Sequence, residues 1–334
     1  MSLERVLTGI KPTGDLHLGN YVGAIKPALD LGSTADDCFL FVADYHTLNT
    51  VRDRDVMQAH SYGIAAVYLA LGLDTRKVVF YRQSDIREIM ELSVILSAIT
   101  PKGLMNRAHA YKAMLDKNTE AGKKDLDDGV NIGLYTYPIL MSADILIANA
   151  NVIPVGKDQV QHVEMTRDMA GTFNHLFGET LTLPKAVVQE HGGSIPGLDG
   201  QKMSKSYNNC IPLLETPKRR QKLIMKIETD SKLPEEPKNP DESTIYQLYV
   251  NFANAREIAE MKHAFENGGM GYGDAKKLLA EVVNRELEGA TEKYEDWLNN
   301  KTKIDEVLDA GAEHVRKVSR ETIRRVRDAV GVKA

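Results

Sequence analysis

The chain has 334 residues, with 47 acidic against 42 basic side chains and a net charge of −5. That balance excludes a broadly basic nucleic-acid binder, and no apolar run approaches the length needed to cross a bilayer. The two cysteines, Cys38 and Cys210, are too few for a disulfide framework or a four-cysteine metal site, which makes a reducing, cytoplasmic setting the default. Met1-Ser2-Leu3-Glu4-Arg5 has no apolar signal core, and the length admits two domains of ordinary size.

Residues 5–9 read as a first strand, followed by a loop and a helix over about 19–31 with Tyr21, Val22, Ile25, Ala28 and Leu29 as its apolar stripe. Residues 37–44 enclose the continuous apolar run from Cys38 to Ala43, the pattern of a buried parallel strand. Asp44-Tyr45-His46 at its end stands where an open α/β sheet places ligands. Asp53 is positioned to cap a helix reaching about residue 71, 77–81 gives a third strand, and helical spacing covers 86–99 and 104–115. Residues 116–128 are highly charged, lack a stripe and read as a surface loop. A helix over 130–148, a strand over 151–155, a helix over 158–177 and a last strand over 185–189 follow. The alternation implies right-handed βαβ units and a mostly parallel sheet.

From about residue 211 the strand signals stop. Residues 216–228, 243–253, 255–266, 273–299 and 304–330 all have helical spacing, and 232–241, rich in proline and charge, read as an exposed linker. The expected architecture is an α/β part over 1–210 followed by an all-helical part over 211–334. Two basic clusters lie in the second part: Lys218, Arg219, Arg220, Lys222 and Lys226, then Arg316, Lys317, Arg320, Arg324, Arg325 and Arg327. Each is open to two readings, a solvated helix surface or a face for RNA.

Two stretches carry chemistry. In Lys11-Pro12-Thr13-Gly14-Asp15-Leu16-His17-Leu18-Gly19-Asn20, a strand, tight turn and helix start aim free backbone N–H groups and the positive end of a helix at one point, which suits a phosphate. His17 and Asn20 sit at that helix mouth, and Asp15 reads as a turn residue. In Gly200-Gln201-Lys202-Met203-Ser204-Lys205-Ser206, downstream of Gly193 and Gly197, two lysines among small hydroxyl residues make a cationic loop able to close on a polyphosphate. The pairing of H-L-G-N near the N-terminus with K-M-S-K-S about two-thirds along resembles the class I aminoacyl-tRNA synthetases. The likeness continues through Asp44-Tyr45-His46, Tyr272-Gly273, Gly311-Ala312 and Thr322-Ile323-Arg324-Arg325-Val326-Arg327, nearly the whole chain. It implies a Rossmann-like, doubly wound catalytic domain over 1–210 and a helical tRNA anticodon-binding domain over 211–334.

In that family an amino-acid carboxylate attacks the α-phosphate of ATP, and positioning and charge stabilisation carry most of the catalysis. The resemblance implies that His17 and Asn20 contact the phosphates while Lys202 and Lys205 neutralise the leaving pyrophosphate. It further implies that Thr13, Ser204 and Ser206 supply hydroxyls, that Gly19 lets the nucleotide lie against the backbone, and that Lys11, Pro12, Ile195 and Met203 complete the ATP site. Gly156-Lys157-Asp158-Gln159 follows a strand and opens a helix. Asp158 reads as a helix cap; the resemblance implies that Gly156, Lys157 and Asp158 belong to the nucleotide site at the ribose and that Gln159 reaches the substrate ammonium group, and both roles can hold.

The amino acid is set by Tyr137-Pro138-Ile139-Leu140-Met141-Ser142-Ala143-Asp144. At helical spacing Tyr137, Met141 and Asp144 share one face. Met141 can pack on an aromatic ring but offers no donor, and Asp144 can accept the single N–H of an indole. A phenol needs groups that both donate and accept, and the tyrosine-specific branch has Gln where Met141 stands. Asp144 also sits among Leu140, Ile145, Leu146 and Ile147, where an unpaired carboxylate is costly; the alternative is that Met141 is core and Asp144 a solvated helix residue. The segment resembles the tryptophan-specific branch, which implies Gly9, His46, Ile153 and Val155 as further pocket residues.

Some positions depart from the family pattern. Lys11 stands where many bacterial relatives have Gln, His17 where many have Thr, and a second lysine expected near Met114 is absent, so that Lys11 or Lys112 substitutes in phosphate binding. The expected partners are L-tryptophan, ATP with Mg²⁺, and tRNA(Trp), with no dedicated metal cage and no membrane. A homodimer is expected, to which the apolar residues 78–99 contribute unless they are core. The rival functions are a tyrosine–tRNA ligase, a nucleotidyltransferase without a tRNA step, and a non-catalytic tRNA-binding or regulatory paralogue. The helical half counts against the second and intact His17, Asn20, Lys202 and Lys205 against the third.

Overall fold

A computed structural model describes residues 4–12, 14–35, 37–188 and 195–333. Five parallel strands, β1 (Arg5–Ile10), β2 (Asp37–Val42), β3 (Val78–Arg82), β4 (Val152–Val155) and β5 (Lys185–Val188), form one sheet in the order β3-β2-β1-β4-β5. β2 is almost wholly apolar and is buried on both faces from Cys38 onward, as a strand between two helical layers must be. It runs in register with β1 from the Arg5–Asp37 pair to Ile10–Val42. The chain builds outward from β1 to β3, then returns to lay β4 along the other side of β1. The reversal leaves a crevice at the carboxyl ends of β1 and β4, the position at which open α/β sheets hold ligands.

Three helices differ from their periodicity. The first begins with a turn at Leu18–Asn20, widens into a π-helical stretch, Tyr21–Ile25, and resumes as α-helix over Lys26–Thr34. Pro27 accounts for the widening, because it has no N–H and its ring presses on the preceding turn. The expected 104–115 helix is two, Lys102–Met105 and His109–Glu120, so residues 116–120 are helix rather than loop. Asn106 marks the break, its side chain taken by Lys102 and the Tyr135 hydroxyl. The expected 273–299 helix is also two, Tyr272–Glu286 and Ala290–Asn299, parted at Gly289 with φ of +68°. The linker over 232–241 is mostly exposed, but Lys238 is buried and donates to the carbonyls of Leu233 and Glu236, which folds the linker onto itself.

Two apolar cores flank the sheet. One joins Val6, Leu40 and Val78 to Ile211, Ile245 and Leu308, and the other joins Leu7, Phe39 and Tyr81 to Ile89, Leu146, Val315 and Val326. The helical half therefore contributes to both, and the long helix Lys301–Val330 reaches both. A Cβ on Gly311 of that helix would stand 1.9 Å from the Phe80 carbonyl oxygen, so glycine is required where helix meets β3. Around this contact Arg82 pairs with Asp305 at 2.7 Å and Arg316 donates to the Asp85 carbonyl at 3.0 Å. Further along, Arg327 pairs with Glu91, Arg325 donates to the Thr180 carbonyl and Asn149, and Arg324 pairs with Glu321 and Asp328. These arginines hold the last helix to the body or to itself. In the other basic cluster Arg220 is buried and bonded to Asn284, whereas Lys218, Lys222 and Lys226 are exposed. Residues 78–99 are largely core through Phe80, Tyr81, Ile86, Ile89, Leu92 and Leu96, with Met90 and Val94 exposed on the outer side of the helix Glu88–Ile99. Among the described residues no helix is long and apolar enough to cross a membrane.

Candidate active site

A cavity of about 530 Å³ opens at the carboxyl ends of β1 and β4. β1 supplies Gly9 and Ile10, β4 supplies Ile153 to Val155, the turn Asp44–Thr47 supplies His46, and the helix Ile132–Ile147 supplies Tyr137, Met141 and Asp144. Gly156, Gln159 and His162 close the side beyond β4. The ring of Phe41 lies so near Gly9 that a Cβ there would meet it at 2.4 Å. β1 thus offers bare backbone to the cavity.

Asp144 is 1% exposed, and burial raises its pKa above the ordinary carboxylate range. Its Oδ1 and Oδ2 accept from the Gln83 amide nitrogen at 2.9 and 2.8 Å, and Oδ2 also lies 3.0 Å from His46 Nε2. A carboxylate oxygen only accepts, so His46 donates through Nε2. Both interactions favour the ionised form and oppose the effect of burial. The reading of Asp144 as a solvated residue is therefore excluded, and Met141 lines the cavity rather than being sealed in the core. Across the cavity the Tyr137 hydroxyl bonds His162 Nε2, while His162 Nδ1 lies 2.7 Å from Gln159 Oε1. The amide oxygen accepts, so Nδ1 carries the proton and Nε2 receives the one from Tyr137. Burial pushes the Tyr137 hydroxyl up to about 12, which keeps it a donor.

The two sequence motifs meet beside this cavity. The backbone N–H of His17 is held by Asn20 Oδ1 at 3.1 Å, and Leu18 and Leu213 bond across to Ile211 and Leu16, clipping the helix mouth to the chain that follows the lysine loop. Met203 packs beside Gly19, where a Cβ would lie 3.6 Å from its own. His17 Nδ1 is buried with no hydrogen-bond partner in the chain, and burial followed by the nearby Lys205 charge lowers the His17 pKa. An orphaned nitrogen at a helix mouth, beside a lysine loop, fits the phosphates of a nucleotide. The loop is organised from below by Asn209, which is 3% exposed: its Oδ1 takes the Ser204 N–H, and its amide donates to Asp199 and the Lys202 carbonyl. Ser204 Oγ in turn accepts from the Ser206 N–H. Among the described residues no group of three or more His, Cys, Asp or Glu is arranged to hold a metal ion.

The model for tRNA synthetases class I (W and Y) matches residues 3–288. The chain belongs to the class I tRNA synthetases. It is 51% identical to the tryptophan–tRNA ligase of Neisseria meningitidis, over 100% of this chain and 99% of that protein. It is 48% identical to that of Pseudomonas aeruginosa, over 99% of this chain and 74% of the other. Among solved structures, tryptophanyl-tRNA synthetase from Campylobacter jejuni complexed with ADP and tryptophane matches at a TM-score of 0.85 and 42% identity, covering 98% of this chain and 100% of that one. Tyrosyl-tRNA synthetase from Archaeoglobus fulgidus shares the fold at a TM-score of 0.63 and 20% identity, covering 88% of this chain and 91% of that one.

Within this family fold, Gly9, Lys11, His46, Tyr137, Met141, Asp144, Ile153, Val155, Gly156 and Gln159 line one cavity. His17, Gly19, Asn20 and the loop from Lys202 to Ser206 form the adjoining junction rather than its walls. The side chains of Ile195 and Met203 are buried in the core, Lys157 is exposed, and the Pro12 carbonyl is turned toward the Thr47 hydroxyl. Lys11, not the exposed Lys112, reaches the cavity. Thr13, Gly193 and the Asp158 side chain lie outside the described residues. Sequence reasoning missed Gln83, His162 and Asn209. A signal existed for the first two: Gln83 directly follows a buried strand at its carboxyl end, and His162 lies one helical step beyond Gln159.

Proposed function

We propose that this chain is a tryptophan–tRNA ligase. The carboxylate of L-tryptophan attacks the α-phosphate of ATP, giving tryptophanyl-AMP and pyrophosphate, and the aminoacyl group then passes to tRNA(Trp). The observation that carries this reading is Asp144: a buried carboxylate that lines the cavity with Met141, is held by Gln83 and His46, and offers an acceptor to a ring N–H.

In this reading the indole enters between Met141 and the β4 residues Ile153 and Val155, and its N–H donates to Asp144. The ammonium group faces Gln159 and Tyr137, whose orientations His162 couples. ATP occupies the junction beyond Gly9 and Lys11, with Gly156, Lys157 and Asp158 on the ribose side and Ile195 and Met203 presenting backbone. His17 and Asn20 meet the phosphates, Thr13 and the loop serines donate hydroxyls, and Lys202 and Lys205 neutralise charge as pyrophosphate leaves. Mg²⁺ arrives with ATP and stabilises the phosphate charge. Residues 211–334 carry the tRNA anticodon-binding role, with Lys218, Lys222 and Lys226 as exposed cations for RNA. A cytoplasmic homodimer, meeting through the exposed Met90 and Val94 side of the helix Glu88–Ile99, completes the reading.

Amino-acid-dependent exchange of labelled pyrophosphate into ATP tests it. Stimulation by tryptophan and not by tyrosine is the expected result. Stimulation by tyrosine instead would replace the substrate, and stimulation by neither would leave a non-catalytic paralogue.

A further inference from the structure

We infer that Gln83 is a positioning residue for tryptophan selection, clamping the Asp144 carboxylate in one orientation and leaving it a single open acceptor position toward the cavity. The inference rests on the reading that Asp144 receives the indole N–H. An ionised carboxylate has about four lone-pair positions. The Gln83 nitrogen bridges the two oxygens, 2.9 Å from Oδ1 and 2.8 Å from Oδ2, and His46 Nε2 takes a second position on Oδ2 at 3.0 Å. One position, on Oδ1, is left.

Gln83 cannot turn to change this. It is 0% exposed, and its Oε1 accepts the Tyr45 backbone N–H at 3.0 Å, so its nitrogen must point at Asp144. The clamp reaches Asp144 from the carboxyl end of β3, on an element other than its own helix. It also supports the ionised form against burial. Among the described residues, the titratable groups facing Asp144 are His46, from the turn after β2, and Tyr81, on β3, whose ionisation the Asp144 charge opposes. Tyr137, two turns earlier on the same helix, is engaged by His162. A fixed carboxylate with one vacancy suits a ring that offers one donor in one place.

The test compares tryptophan with benzothienylalanine, in which sulfur replaces the ring N–H, in pyrophosphate exchange by the full chain. The native protein should prefer tryptophan by about 10⁴-fold, in the manner of sites built around a required hydrogen bond. A native preference near unity overturns the Asp144 reading itself. Gln83→Met keeps the length and removes the donor, and Gln83→Leu removes it with a more compact apolar side chain. In each the preference should fall by about tenfold or more, with KM for tryptophan rising while KM for ATP and kcat hold. In Gln83→Met the loss of tryptophan binding on acidification should also begin at a higher pH than in the native chain. Should Gln83→Met fail to fold, Gln83→Leu decides. A full native preference in either folded variant overturns the role of Gln83 while leaving that of Asp144 intact.

Discussion

The amino-acid cavity and the lysine loop handle charge in opposite ways. In the cavity Asp144 is held by Gln83 and His46, and Tyr137 by His162. In the loop the fixed contacts lie underneath, at Asn209, while Lys202 and Lys205 are exposed. The difference follows from what each must do. On the proposed reading, a group that selects one amino acid gains from being oriented before the ligand arrives, whereas cations that meet a departing pyrophosphate stand at the surface above a stable base. On that reading discrimination rests on packing, and rate on a loop.

The largest expected effect breaks the cavity side. Asp144→Ala should raise KM for tryptophan by roughly 10²- to 10³-fold, since it removes the acceptor and strands Gln83 and His46, while KM for ATP changes little. Equal losses for both ligands would make Asp144 merely structural. A related pH effect has a definite sign. Burial raises the Asp144 pKa, so tryptophan affinity is complete above that raised value and fades as pH falls through it, earlier on acidification than for an ordinary aspartate. The pH dependence of KM for tryptophan reads this directly.

On the loop side, Lys202→Ala or Lys205→Ala should lower kcat for activation by about 10²-fold with KM for tryptophan unchanged. A rise in tryptophan KM instead would erase the contrast between the two regions. Asn209→Ala, at the base, should lower stability by about 2 kcal/mol in a thermal or denaturant melt, with a smaller loss of kcat than either lysine gives. The mildest change is in a titration. Lys205 contributes to lowering the His17 pKa, after burial, so Lys205→Met should let His17 take up its proton at a higher pH than in the native chain, which imidazole NMR resolves.

Much of this was legible in the residues because it rests on strong local signals. The five strands fall close to their expected limits, since apolar runs between helices leave little choice for a buried parallel sheet. Asp144 stood out because a carboxylate among Leu140, Ile145 and Leu146 demands a partner. The partner did not stand out. Gln83 is 61 positions away in sequence, and a lone glutamine at a strand end looks like any exposed polar residue until the fold brings it in. His162, three positions from Gln159, carried a local signal that was passed over, and Asn209 looks like any loop polar residue until the fold buries it. The helix breaks at Asn106 and Gly289 were hidden because apolar spacing runs on through both, and only a side-chain lock or a left-handed residue marks the interruption.

The short stretch from Arg82 to Asp85 touches both halves of the protein. The last helix grips its two ends, through Asp305 and Arg316, and Gln83, inside the stretch, holds the Asp144 carboxylate that lines the cavity. The ion pair and the hydrogen bond from that helix thus help to fix where the amide sits. Residues more than two hundred positions downstream in the sequence share in holding the group that holds Asp144.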